Sequence, residues 1–302
     1  MPAEIDAALP PAATLILVRQ HGGELQTYLL RRSPQSGFMP GLFVFPGGLV
    51  DPADDDAAFW SRHLDGAPPA LAQQLGRTIG LTVALRYAVA VVRETFEEAG
   101  VLFAARAAGG AAPWRRAHER RATESLRQGW LRRWLEAEGW VLTLSELWPW
   151  AHWITPLGMP RRFDTRFFVA ALPEGQEGRP DLHETTEGLW TSPGQALARN
   201  MDGRTPLSPP TLVTLNELLG YATLGSLQEG LRHREWGEPI FPRLAALGTG
   251  GGSVIVEPWD PGYGQEDLRI DPDELPRRVL PVGAPFSRLW NDAGVWKPVA
   301  AT

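Results

Sequence analysis

The chain has 302 residues, 43% of them hydrophobic and 21% charged, with 29 basic against 35 acidic side chains and a net charge of −6. This balance fits one large globular domain or two small ones and argues against a nucleic-acid or anionic-membrane binder as the default. No cysteine is present, which excludes disulfides, thiol catalysis and cysteine-based zinc sites, and no apolar run reaches the length of a membrane span. Lys297 is the only lysine. An anion site must therefore use Arg forks, backbone N–H groups or a metal. Residues 1–11 carry acids and no basic run, unlike a signal peptide, and residues 299–302 are not an address of the Ser-Lys-Leu kind. A cytoplasmic enzyme is expected.

Residues 14–18 and 25–31 are β-prone apolar runs separated by His21-Gly22-Gly23-Glu24, which predicts a hairpin. Residues 33–37 read as a loop. Residues 38–46 read as an extended segment entering a turn at Pro46-Gly47-Gly48. Glycine there lets the backbone approach a metal or phosphate closely, although an ordinary tight turn needs it equally. Asp54-Asp55-Asp56 reads as a helix start before Ala57-Ala58-Phe59-Trp60, with a second short helix over 70–75. Residues 81–99 predict one long helix stopped by Gly100.

On that helix Glu94, Glu97 and Glu98 share one narrow arc, because i, i+3 and i+4 are surface neighbours, while Val89, Val92, Phe96 and Ala99 fall opposite and can bury. Like charges at this spacing destabilise a helix by a few tenths of a kcal/mol per pair. A hard divalent cation such as Mg²⁺ or Mn²⁺ would remove that repulsion. For Glu-x-x-Glu-Glu alone, a solvated acidic face is the simpler reading.

A strand is predicted from residue 101 to 105 and helices over 117–128 and 131–138. Trp130, Trp134, Trp140, Trp148, Trp150 and Trp153 are crowded and expected mostly in the core, with one or two available as a ligand wall. A strand ends the run that begins at Pro160-Arg161-Arg162-Phe163. Asp181, His183, Glu184 and Glu187 precede Leu189-Trp190, where a strand leads through Thr191-Ser192-Pro193 into a helix. Helices are expected over 211–219 and 225–235. The glycine-rich residues 248–253 lack the Gly-Lys-Ser/Thr ending of a phosphate loop and read as a turn or linker. The Pro-rich remainder reads as an appended arm with short strands.

The run Arg93-Glu94-Thr95-Phe96-Glu97-Glu98-Ala99-Gly100-Val101-Leu102, with Phe45-Pro46-Gly47-Gly48 upstream, resembles the Nudix box. Gly48 is followed by five residues and Asp54, where the family has Glu, and 38 residues then separate Asp54 from Arg93, far more than the usual spacing. This split box, the Arg161-Arg162-Phe163-Asp164-Thr165 run with Phe167-Phe168, and Trp190-Thr191-Ser192-Pro193 resemble the coenzyme A diphosphatase branch of that superfamily, over about residues 13–242. The resemblance implies an α/β fold: the Nudix α/β/α sandwich with a mixed β-sheet, a helical insertion inside the box and a C-terminal extension. The chain then divides into a tail (1–12), a Nudix hydrolase domain (13–245, insertion 55–81) and a Gly/Pro-rich extension (246–302). The halves of the box can still meet, since loop closure costs only slowly more with length. The insertion is expected as a helical flap beside the site.

The same resemblance implies a Mg²⁺ or Mn²⁺ site formed by Glu94, Glu97, Glu98 and the carbonyl of Gly48. Arg93 would orient the carboxylates. Glu98 or Glu184 would activate water, with Glu187 a second choice for the acid outside the box. Asp54, one methylene shorter than Glu, implies a weaker or rearranged tie to Arg93, and Thr95 replaces an aliphatic residue. The implied activity is hydrolysis of a diphosphate linkage in a nucleoside diphosphate joined to another moiety, coenzyme A or an acyl-coenzyme A leading. The alternatives are an ADP-ribose or dinucleotide diphosphatase, and a non-catalytic Nudix-like nucleotide sensor. The intact acid set speaks against the sensor.

A 3′-phosphate such as that of coenzyme A calls for fixed positive charge away from the metal. With a single lysine, the candidates are Arg31, Arg32, Arg161 and Arg162, joined by Phe38. Surface salt bridging is the alternative for each, and in a regular strand the alternation lets only one of Arg31 and Arg32 face a ligand. The expected partner is a small nucleotide-type substrate, with neither nucleic acid nor membrane. The oligomeric state is not set by the sequence.

Overall fold

In the computed structural model, which describes residues 9–107, 114–123, 126–247, 252–266 and 268–301, the layers form around strand β1 (Pro11–His21). Side chains alternate across a strand. Ala13, Leu15 and Leu17 enter one core cluster, and Ile16 and Val18 enter another. The strand is buried on both faces, which explains its continuous apolar run. It turns through Gly22 and Gly23, both at positive φ, into antiparallel β2 (Glu24–Arg32), so the predicted hairpin is present.

β3 (Phe43–Val44) pairs with the end of β2. β4 (Gly47–Leu49) lies antiparallel against the first part of β1, with Gly48 opposite Ala13. The expected Gly-Gly turn is therefore a strand. Close approach is what demands glycine there: a Cβ on Gly47 would stand 2.3 Å from the Ala13 carbonyl oxygen.

The insertion holds two helices, α1 (Ala57–Trp60) and α2 (Pro68–Leu75). Asp56 caps α1 by accepting the Phe59 N–H at 2.9 Å. Phe59, Trp60, Leu71 and Leu75 bury in the same cluster as α3 (Leu81–Ala99). None of residues 55–81 lines the cavity described below. The expectation of a flap beside the site is thus corrected, because these apolar side chains bind the insertion into the core. α3 has the predicted bounds and ends on Gly100 at φ 70°.

Residues 101–103 are buried without strand pairing, and β5 (Ala104–Arg106) starts later than predicted. A helical excursion follows: α4 (Trp114–Thr123), α5 (Trp130–Glu138) and β6 (Trp140–Leu142), the last pairing with β5. Trp130, Trp134 and Trp140 pack with α3.

β7 (Trp148–Ile154), β8 (Asp164–Ala171) and β9 (Thr185–Thr191) complete a seven-stranded mixed sheet of order β3-β2-β1-β8-β7, with β4 on β1 and β9 on β2. β8 runs parallel to β1 and the other pairings are antiparallel. α6 (Pro193–Met201), α7 (Pro209–Leu218) and α8 (Leu224–Leu231) cover the face opposite α3 through Leu197, Leu212, Leu215 and Leu227. This is the expected α/β/α sandwich.

β10 (Arg243–Ala246), β11 (Ser253–Val256), β12 (Arg288–Asp292) and β13 (Val295–Val299) form a second, antiparallel sheet. Ile255, Leu289 and Trp296 share the core cluster of α6–α8, and Asn200 donates to the Trp296 carbonyl at 2.8 Å. This sheet packs on the body of the fold. Residues 248–251 of the glycine run lie outside the described residues.

Candidate active site

α3 buries two of its faces for different reasons. Val89, Val92, Phe96 and Ala99 are fully buried in the apolar core. On the other side Glu94, Glu97 and Glu98 line a cavity of about 780 Å³, together with Gly47 and Gly48 of β4. Arg93, 4% exposed, sits between the two faces.

The guanidinium of Arg93 is fully engaged. Its Nε donates to both oxygens of Asp54 at 3.1 and 3.2 Å, and Nη2 donates to Asp54 Oδ2 at 2.9 Å and to the Leu49 carbonyl at 2.8 Å. Nη1 donates to Glu94 Oε1 at 2.9 Å and Glu97 Oε2 at 3.0 Å. Of the weaker or rearranged tie anticipated for Asp54, the weaker form is not found. A turn draws it in: Asp54 N–H donates to the Asp51 carbonyl at 2.9 Å, and Asp51 N–H donates back to Asp54 Oδ2 at 2.8 Å. The backbone thus supplies the reach that the shorter side chain lacks.

Gly47 N–H donates to Glu98 Oε2 at 2.9 Å, and Glu98 is 5% exposed. A Cβ on Gly48 would stand 2.4 Å from the Glu94 carboxyl carbon, so only glycine leaves room for that carboxylate. Glu97 is held from two sides, by Arg93 on Oε2 and by the Trp130 indole N–H on Oε1.

One guanidinium thus serves three carboxylates, while Glu98 receives a single backbone N–H. Burial pushes Glu94 up to about 7, with Arg93 opposing and the charges of Glu97 and Glu184 adding. Burial likewise raises Glu98 well above the ordinary range, and the Glu94 charge raises it further. Glu97 is raised by burial against the pull of Arg93 and Trp130. A crowded, desolvated set of hard oxygen donors with excess negative charge fits a hard divalent cation. Among the described residues no three His, Cys, Asp or Glu side chains are gathered into one ready ligand set. The fit therefore rests on donor chemistry and charge.

The remaining candidates divide. Glu184 lines the cavity, its N–H donating to Asp181 Oδ2 at 2.9 Å, whereas Glu187 is absent from the wall and lies 3.9 Å from Arg31 at the surface. Arg32 lines the cavity and donates through Nε to the Phe38 carbonyl at 2.9 Å; Arg31 points away with 45% of its side chain exposed. One of the two faces the cavity, as expected, although the β2–β9 register shifts between Arg31 and Arg32. Arg161, Arg162 and Phe38 also line the cavity. Arg162 Nε donates to the Thr155 carbonyl at 3.0 Å, while its Nη2 is buried with no hydrogen-bond partner among the described residues.

Some wall residues were not singled out by the sequence reading. Ile255 and Trp296 come from the C-terminal sheet, where no motif marks them, and Trp153 was visible only as one of a crowd of tryptophans. The Trp130 contact to Glu97 was also missed, since nothing in the spacing shows where an indole N–H will point.

Residues 10–218 match the family model of the NUDT19 Nudix domain. The acyl-coenzyme A diphosphatase NUDT19 of Gallus gallus is 31% identical, over 88% of this chain and 82% of that protein. The protein of the same name from Homo sapiens is also 31% identical, over 67% of this chain and 62% of its own length. The crystal structure of a NUDIX hydrolase from Alicyclobacillus acidocaldarius superposes with a TM-score of 0.62 at 27% identity, covering 76% of this chain and 99% of that one. No helix among the described residues is long and apolar enough to cross a membrane.

Proposed function

We propose that this chain, which belongs to the NUDT19 Nudix family and is a Nudix hydrolase, splits the diphosphate linkage of coenzyme A or an acyl-coenzyme A into 3′,5′-ADP and the (acyl-)phosphopantetheine. The observation that carries this reading is a cavity with a carboxylate cluster, arginines and an apolar wall together. Arg32, Arg161 and Arg162 lie on one wall of the cavity, where guanidinium donors suit a phosphate. Trp153, Phe163, Phe167, Ile255 and Trp296 suit a pantetheine or acyl arm. The names of the relatives from chicken and man point the same way.

Glu94, Glu97, Glu98 and the Gly48 carbonyl would hold Mg²⁺ or Mn²⁺, which when bound neutralises the phosphate oxygens that repel a nucleophile. Arg93 fixes the directions of Glu94 and Glu97. Glu98 accepts the proton of the attacking water, and burial beside the Glu94 charge raises its proton affinity above that of an ordinary carboxylate. Glu184 is the second candidate for that step. Phe38 and the cavity arginines hold the nucleotide end, and Arg31 has no part in this reading. Residues 13–245 form the catalytic unit, and residues 246–302 contribute the far wall through Ile255 and Trp296.

The test is a comparison of coenzyme A with dephospho-coenzyme A, product masses identifying the bond cut. Dephospho-coenzyme A should turn over about tenfold more slowly, the size expected for a lost charge-assisted contact. Arg162→Gln should erase that preference while sparing dephospho-coenzyme A. Equal rates on both, or faster cleavage of ADP-ribose, would leave a diphosphatase of other specificity.

A further inference from the structure

Glu97 is gripped by a part of the chain that lies outside the box. Trp130, the first residue of α5 and 1% exposed, donates its indole N–H to Glu97 Oε1. Arg121 of α4 donates through Nη2 to the Glu97 backbone carbonyl at 2.7 Å. That carbonyl belongs to the last turn of α3, where the helix supplies no partner of its own. The Phe96 ring, one residue earlier, meets Trp130 at 5.2 Å and His118 of α4 at 5.9 Å. The excursion α4–α5 thus holds the end of α3 by its backbone, an apolar ring and a carboxylate. On the other side, Arg93 takes Glu97 Oε2 at 3.0 Å.

With one donor on each oxygen, the Glu97 carboxylate is fixed in rotation. A carboxylate has about four lone-pair positions, so two remain for a cation. Neutral donors to a ligand oxygen set its direction before the ion arrives, and their loss typically costs about 10–100-fold in metal affinity. We propose that Trp130 is a positioning residue for the Glu97 carboxylate, and that the α4–α5 excursion, through Trp130 and Arg121, holds the metal-facing end of α3 in place. This rests on the reading of Glu97 as a metal ligand.

Trp140 supplies a matched control. It is equally buried, packs in the same cluster, and its indole N–H has no partner among the described residues. Trp→Phe at either position removes a similar ring area, but only at 130 does it remove a donor to Glu97.

The experiment measures Mn²⁺ binding to the full chain without substrate, by electron paramagnetic resonance of free Mn²⁺, for Trp130→Phe, Trp140→Phe, Glu97→Gln and the Trp130→Phe/Glu97→Gln pair. Thermal unfolding is recorded for each. Trp130→Phe should weaken Mn²⁺ by about tenfold, Trp140→Phe by less than about twofold, and the pair no more than Glu97→Gln alone. Arg121→Met keeps the alkyl stem and should weaken Mn²⁺ by about threefold, which tests the proposal even if Trp130→Phe fails to fold. If Glu97→Gln weakens Mn²⁺ while Trp130→Phe and Arg121→Met behave like Trp140→Phe, the positioning role is overturned and the ligand reading stands. If Glu97→Gln binds Mn²⁺ as wild type does, the ligand reading falls and the positioning proposal falls with it. Additive losses in the pair would mean that Trp130 acts through packing alone.

Discussion

Two buried Asp–Arg pairs among the described residues, Asp54–Arg93 and Asp260–Arg288, are built in opposite senses. In the C-terminal sheet region one carboxylate collects the donors. Asp260 accepts from Arg288 Nε and Nη2 at 2.8 and 3.0 Å, from Ser287 Oγ at 2.7 Å and from the Gly262 N–H at 2.7 Å. Burial works to raise its pKa, yet these hydrogen bonds prevail and hold the carboxyl below the usual range. At the cavity one guanidinium collects the acids: Arg93 serves Asp54, Glu94 and Glu97. There burial prevails, and Glu94 and Glu97 are raised. An acid supplied with donors is a finished structural joint. A cation shared among acids leaves negative charge that another positive group can satisfy, which is why the second arrangement suits a site.

Breaking the two joints should separate stability from activity. Asp54→Ala and Asp260→Ala each remove a buried carboxylate hydrogen-bonded to a guanidinium, and Arg93 keeps Glu94, Glu97 and the Leu49 carbonyl, so each should cost about 1.5–3 kcal/mol in denaturant unfolding. At a temperature where both stay folded, Asp260→Ala should keep near-normal kcat, whereas Asp54→Ala should lose it with the alignment of Glu94 and Glu97. Equal kcat losses in the two variants would remove the distinction. Glu98→Gln keeps the side-chain size and should leave stability near wild type while lowering turnover by about a hundredfold. Near-normal turnover would pass the role of base to Glu184.

The comparison sharpens at Glu257, which follows β11. It is fully buried, and neither carboxylate oxygen has a partner among the described residues. Burial alone raises its pKa to about 8 from the ordinary 4.5. The folded state therefore holds a proton that the unfolded state releases across that range. Its contribution to stability is present below pH 4.5 and is lost as pH rises towards 8. Asp260 works in reverse: its contribution is present above the unfolded value and is lost as pH falls through the lower folded one. Glu257→Gln should flatten the decline between pH 5 and 8 and stabilise the chain by on the order of 2 kcal/mol at pH 7. Urea midpoints across that range check this; an unchanged slope would show that Glu257 does not titrate there.

Some of this was legible beforehand because it depends on short-range geometry. The carboxylate arc of α3 needs only the helical repeat, and the β1–β2 hairpin needs only two β-prone runs and a Gly-Gly turn. The reading of Gly47-Gly48 as a turn failed because the demand for glycine came from β1, more than thirty residues earlier in the chain. The insertion was misplaced for a related reason. Phe59, Trp60, Leu71 and Leu75 were visible as apolar, but which surface they bury against is not a local property.

What the sequence determined by itself is the set of groups and their local order: three glutamates on one arc of a helix, glycines upstream, arginine as nearly all of the positive charge, and enough motif to mark the α/β/α fold. What only the tertiary structure decided is which of these groups meet. Asp54 reaches Arg93 across 39 positions and Trp130 reaches Glu97 across 33. Arg32 faces the cavity and Arg31 does not, and Ile255 and Trp296 arrive from a separate sheet. Hydrogen bonds are short and directional, so they exist only once packing has fixed both partners to within a fraction of an ångström. Hydrophobic burial, which brings those partners together, is non-directional, and the sequence pattern records which side chains bury without recording against what.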